Sequence, residues 1–140
     1  MADLILTKRQ ADEIIAHAKQ EAPNECCGIL AGNGTAVQKV YRATNTEKSP
    51  VKYNFDGLEM LRIEDEAAKS KWDVLGFYHS HTFSEAYPSP TDVKLSSPWG
   101  YLYMIVSLRD PMEPAIRLFR IDKAQPDGKQ IQELRLEMAP

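Results

Sequence analysis

Two short, continuously apolar runs constrain this chain more than any other feature: Cys26-Cys27-Gly28-Ile29-Leu30-Ala31 and Val74-Leu75-Gly76-Phe77-Tyr78. Neither alternates polar with apolar residues and neither has the length of an ordinary helix, so both read as buried strands. Gly32-Asn33-Gly34 after the first run is a strong hairpin signal, and Thr35 to Thr44 becomes the returning strand. Between and before these runs the periodicity changes. Thr7 and Gln10 form a capping-box pattern, followed by Ala11, Ile14, Ile15 and Ala18 at helical spacing, which predicts an amphipathic helix over 7–21 that Pro23 and Asn24 end. Asp56 and Glu59 repeat the cap pattern ahead of Leu58 to Trp72, a second helix of about four turns. Thr91 to Ser97 suggests a short helix that Pro98 stops. Tyr101 to Leu108 and Ala115 to Ile121 read as strands joined by the turn at Arg109-Asp110-Pro111, and Ile131 to Met138 alternates like a last, half-exposed strand. Strands interleaved with two substantial helices predict an α/β sandwich around one central mixed sheet.

With 140 residues and no internal repeat or linker, the expectation is one domain over 1–140. The net charge of −3 is spread without a basic stripe, so nucleic acid is not an expected partner. The N-terminus carries Asp3 and only a three-residue apolar run, which is neither a signal peptide nor a membrane span. Cys26 and Cys27 are adjacent, a spacing that rarely meets disulfide geometry, and this suits a reducing compartment. A cytoplasmic location is expected.

The chemistry concentrates in His79-Ser80-His81 and the stretch that runs to Asp92. Two histidines two apart at a strand end project from the same face, which makes a metal site plausible. A catalytic zinc takes about three protein ligands and keeps a place for water, and Asp92, at a helix start beyond two prolines, is a third candidate. Plainer readings compete. A histidine near a strand end is usually structural, and an aspartate at a helix start is more often a cap than a ligand.

His79-Ser80-His81, seven residues, Ser89, two residues and Asp92 match the JAMM signature H-[ST]-H-x7-S-x2-D at every defined position. Pro23-Asn24-Glu25-Cys26-Cys27-Gly28-Ile29-Leu30 is similar to the P-x-E-x-C-G-x-L segment that carries the catalytic glutamate of that family. The chain thus resembles the JAMM (MPN+) metalloproteases over nearly its whole length. The resemblance implies a sheet sandwiched by helices, related in shape to the cytidine deaminase fold. It implies His79, His81 and Asp92 as ligands to Zn2+, Glu25 as general base and Ser89 as the group that helps hold the attacked carbonyl oxygen.

The blocks Thr44 to Pro50, Tyr78 to Leu95 and Val106 to Pro111 resemble the small bacterial members that release cysteine from a sulfur-carrier protein. Their partner is a ubiquitin-like carrier ending in Gly-Gly, extended by cysteine. Isopeptide cleavage of another ubiquitin-like tail is an alternative, and a scaffold role is disfavoured because every ligand position and the glutamate are present. Deamination would call for H-x-E and C-x-x-C, which the chain lacks. A homodimer stays open.

Other residues have ordinary explanations. Cys27 is expected to pack rather than meet the metal, and Cys26 to be inert. His17 is expected on the polar side of the first helix, at the surface. Trp72 and Trp99 are expected in the core, with an interface role as the alternative. Glu21 and Glu85 are expected in solvent. Ser80 either supports the site by hydrogen bonds or simply ends its strand.

Overall fold

The computed structural model describes all residues, Met1–Pro140. The elements are β1 (Leu4–Thr7), α1 (Lys8–Glu21), β2 (Cys27–Asn33), β3 (Ala36–Ala43), α2 (Gly57–Lys69), β4 (Asp73–His81), α3 (Pro90–Leu95), β5 (Leu102–Ser107), β6 (Ala115–Ile121), β7 (Ile131–Leu134) and β8 (Leu136–Ala139). They build one eight-stranded sheet in the order β7-β6-β5-β4-β2-β3-β1-β8. The β4–β5, β1–β3 and β1–β8 pairs are parallel and the rest antiparallel, so the sheet is mixed, as expected.

Both apolar runs lie at the middle of this sheet. β2 and β4 pair with each other, Ile29 opposite Phe77 and Cys27 opposite His79. Alternation sends Tyr78 to one face of β4 and Phe77, His79 and His81 to the other. On the first face α1 packs Ala11, Ile14 and Ala18 against Leu30, Tyr78, Met104 and Leu118. On the second, α2 packs Ile63 and Ala67 against Cys27, Ile29 and Tyr41. The helices therefore cover opposite faces of the sheet, and the three-layer α/β sandwich is the observed architecture.

Local chemistry sets the helix ends. Thr7 accepts from the Gln10 N–H while the Gln10 side chain accepts from the Thr7 N–H, a complete capping box that starts α1. Asp56 caps α2 by accepting from the Glu59 N–H. That helix stops at Lys69 instead of running to Trp72, because Lys71 turns into the left-handed region at φ 59°. The β2–β3 turn falls at Gly34 and Thr35, with Gly34 at φ 60°, so it takes up the last residue of the Gly-Asn-Gly signal and the strand returns at Ala36.

The sheet edges depart most from expectation. Leu4–Thr7 is a strand although it is only four residues long. Ile131 to Met138 is two strands: β7 pairs antiparallel with β6, and β8 pairs parallel with β1 at the opposite edge. Only Arg135 separates them, its N–H donating to Asp3 and its carbonyl accepting from the Asp3 N–H. Strands joined by one residue can occupy both edges only if the sheet curls nearly round on itself, and α1 fills that curl.

Candidate metal centre

His79 and His81 end β4 on the face away from α1, and Asp92 comes from the first turn of α3. The Asp92 Oδ2 lies 3.1 Å from His79 Nε2 and 3.0 Å from His81 Nε2, and the two Nε2 atoms are 3.1 Å apart. All three residues are buried. The same Oδ2 accepts from the Ser89 N–H at 2.9 Å, and the Ser89 hydroxyl accepts from the Asp92 N–H at 3.0 Å. Asp92 is thus a cap and a donor to the centre at once, so the two readings of an aspartate at a helix start coincide.

The surroundings fix the orientation of each ring. His81 Nδ1 donates to the Glu85 carbonyl at 2.8 Å, which leaves Nε2 with a free lone pair facing the centre. Tyr53 stacks on His79 with ring centroids 4.3 Å apart. Burial lowers the His79 pKa, although Asp92 opposes the shift. At His81 burial also disfavours the charge, but Asp92 and the Glu85 carbonyl outweigh it and the net shift is upward. Burial alone would raise the Asp92 carboxyl; the two imidazoles and the Ser89 N–H hold it well below the usual carboxylate range.

Glu25 sits just before β2, one residue from Cys26, which β2–β4 pairing places beside the β4 terminus. Ser80 makes that juncture: its Oγ accepts from the Cys26 N–H at 2.8 Å, and its N–H donates to the Cys26 carbonyl at 3.1 Å. Ser80 therefore supports the site by hydrogen bonds. Thr82 adds a second tie, donating to the Pro23 carbonyl at 2.9 Å. Glu25 is buried, and its Oε1 has no hydrogen-bond partner. Burial pushes its pKa up to about 8, with His81 pulling it down and Asp92 pushing it up.

Two contributors were not read from the sequence. Asn45 is buried and fully engaged: its Nδ2 donates to the Glu25 and Lys52 carbonyls, both at 3.0 Å, and its Oδ1 accepts from the Glu47 and Asn54 N–H groups. The asparagine bonding to the backbone two residues on is a turn habit that a sequence can hint at. Tyr53 had no local signal, since its role depends on a loop folding back over β4.

Two expectations are corrected. His17 is buried, not at the surface: its Nδ1 shares a 2.7 Å hydrogen bond with the Tyr78 hydroxyl, and it lies one turn from Ile14 on the inward stripe of α1. Trp99 is 81 % exposed, not in the core, because it follows Pro98 in the loop before β5. Trp72 is half-buried beside α2, Cys27 packs in that layer, and Glu21 and Glu85 are exposed.

Two imidazole nitrogens and one carboxylate oxygen within 4.8 Å of one another, converging beside an unpartnered buried carboxylate, form a donor set that fits zinc. The thiols stand outside this donor set: Cys26 packs in the layer under α1 and Cys27 in the layer under α2, and burial raises both.

Residues 7–122 match the model of the prokaryotic homologs of the JAB domain. The chain belongs to that family, the JAMM family of the sequence resemblance, and it is a hydrolase of the JAMM type. It is 37% identical over 120 residues to the CysO-cysteine peptidase of Mycobacterium tuberculosis, covering 84% of this chain and 82% of that one. It is 37% identical over 111 residues to the desampylase of Haloferax volcanii, covering 74% and 80%. Among solved structures, protein DSY2949 from Desulfitobacterium hafniense superposes with a TM-score of 0.86 at 34% identity, over 97% of this chain and 92% of that one. AF2198, a JAB1/MPN domain protein from Archaeoglobus fulgidus, shares the fold with a TM-score of 0.64 at 18% identity, over 99% and 98%.

Proposed function

We propose that this protein hydrolyses the amide bond that joins cysteine to the Gly-Gly end of a ubiquitin-like sulfur-carrier protein, as a step of cysteine biosynthesis. The observation that carries the reading is the convergence of His79, His81 and Asp92 beside the unpartnered Glu25 Oε1. The substrate class is supported by the likeness to the CysO-cysteine peptidase over most of both chains.

In this reading His79, His81 and Asp92 hold the zinc. When bound, zinc supplies a Lewis acid that brings the pKa of water to about 7 and polarises a carbonyl. Burial without a metal favours the protonated Glu25, and the positive charge of a metal held by His79, His81 and Asp92 would favour its carboxylate instead. That carboxylate then accepts a proton from the attacking water on Oε1 and passes it to the leaving cysteine nitrogen. The Ser89 hydroxyl spends its oxygen on the Asp92 N–H, so its own proton is available to the carbonyl oxygen as charge develops there. No helix is long and apolar enough to cross a membrane. The two free, buried cysteines suit a reducing compartment, and the cytoplasm is the site of action in this reading.

A second reading, cleavage of such a tail from a protein lysine, draws support from the likeness to the Haloferax desampylase. The two are separated by incubating the zinc-loaded protein with a carrier ending in Gly-Gly-Cys, with the same carrier linked to a lysine, and with a lysine-linked ubiquitin dimer. Free cysteine from the first, with slower cleavage of the second and little of the third, is expected. Rapid cleavage of the lysine conjugate beside an untouched cysteine adduct would replace the first reading by the second.

A further inference from the structure

The two histidines of the metal centre are held in different ways. His81 has its outer nitrogen tied to the Glu85 carbonyl, whereas His79 Nδ1 is buried and has no hydrogen-bond partner. A histidine that presents Nε2 to a metal carries its proton on Nδ1, and an acceptor for that N–H ordinarily fixes the plane of the ring. The torsion that turns an imidazole is broad, so a ring without such a bond needs another restraint to keep its lone pair aimed.

Tyr53 supplies one. Its ring lies on that of His79 with centroids 4.3 Å apart and planes 21° apart, and His79 is only 1 % exposed. Tilting the imidazole would drive its edge into the face of the phenol ring. Tyr53 is itself held from both sides along the chain by one side chain: the Lys52 carbonyl accepts from Asn45 Nδ2 at 3.0 Å, and the Asn54 N–H donates to Asn45 Oδ1 at 3.1 Å. Phe55 buttresses it further, meeting the Tyr53 ring edge to face at 5.8 Å and Phe77 at 5.4 Å.

We infer, on the reading of His79 as a zinc ligand, that Tyr53 is a positioning residue for it: the stack sets the plane of the imidazole, a task that falls to a hydrogen bond at His81. Part of the metal affinity then belongs to a ring that contributes no donor atom, and it is the flat face of Tyr53, not its hydroxyl, that matters.

The test loads each full-length variant with zinc and measures transfer of the ion to a chromophoric chelator, beside the Tm of the zinc-free protein. Tyr53→Leu and Tyr53→Met fill the space without a flat face, and each should weaken zinc retention by about tenfold, the scale of losing the partner of a ligating histidine. Tyr53→Phe keeps the face and should stay within about twofold of the wild type. Phe55→Leu disturbs the same apolar layer from behind Tyr53, so it should lower Tm much as Tyr53→Leu does yet hold zinc within about twofold. Retention near wild type in both Tyr53→Leu and Tyr53→Met overturns the inference. So does a loss in Tyr53→Phe as large as in Tyr53→Leu, which would assign the effect to the hydroxyl, or an equal loss in Phe55→Leu, which would assign it to packing at large. Full zinc in His79→Ala would bring down the ligand reading and the inference with it, whereas loss of zinc there beside full retention in Tyr53→Leu and Tyr53→Met would bring down the inference alone.

Discussion

Asn45 shows how much of this site hangs on a side chain that touches no reacting atom. Its amide donates to the carbonyl of Glu25 and to that of Lys52, and so ties the start of β2 to the loop that carries Tyr53. Asn45→Asp keeps the shape and the two accepted bonds but faces a carboxylate oxygen toward two carbonyls, at a cost of about 1–3 kcal/mol for the lost donor. Displacement of Glu25 by a fraction of an ångström should lower kcat by about 10–100-fold while zinc stays bound. Near wild-type kcat in that variant would separate Asn45 from the base. At this scale the sequence was legible where residues act through fixed spacing, as His79, His81 and Asp92 do: a strand brings alternate residues to one face and a helix cap brings the third. It was illegible at Asn45 and Tyr53, whose surroundings come from segments distant in the chain.

At the scale of elements, α1 is pinned to β4 by the His17–Tyr78 hydrogen bond, and Gly28 makes room for it. A Cβ on Gly28 would fall 2.0 Å from the Tyr78 ring, so that position admits no side chain without displacing that ring. Burial, aided by Arg42, lowers the His17 pKa to about 4, from an ordinary value of about 6.5. The sign of the consequence is fixed. Between these values the unfolded chain binds a proton that the folded chain refuses, so this stabilising contribution is complete above about pH 6.5 and lost as pH falls toward about 4. His17→Gln, which can still reach the Tyr78 hydroxyl, should flatten that part of the profile, and the drop in Tm from pH 6.5 to pH 4 should be several degrees smaller than in the wild type. Parallel curves would mean that His17 is not buried in its neutral form. The inward position of His17 was available from its place one turn after Ile14, but its polarity argued for the surface. Helix starts, by contrast, were legible because Thr7 and Asp56 act within three residues of themselves.

Over the whole molecule, the curled sheet brings the N-terminal half, with Glu25, against the C-terminal half of β4 and the α3 cap. The central strands could be read because both faces are covered and the runs are apolar throughout. The closure could not: β7 and β8 look like one alternating strand, and only pairing with β6 and β1, more than a hundred residues apart in sequence for the latter, divides them. The central claim is that this assembly makes one metal centre in which binding and proton transfer belong to different residues. Zinc content by elemental analysis, measured beside turnover of the cysteine adduct, tests it most directly. The wild type should hold about one zinc per chain, His79→Ala, His81→Ala and Asp92→Ala should lose both metal and activity, and Glu25→Gln should keep the zinc while turnover collapses. Full zinc in the three ligand variants, or near wild-type turnover in Glu25→Gln, would contradict the account.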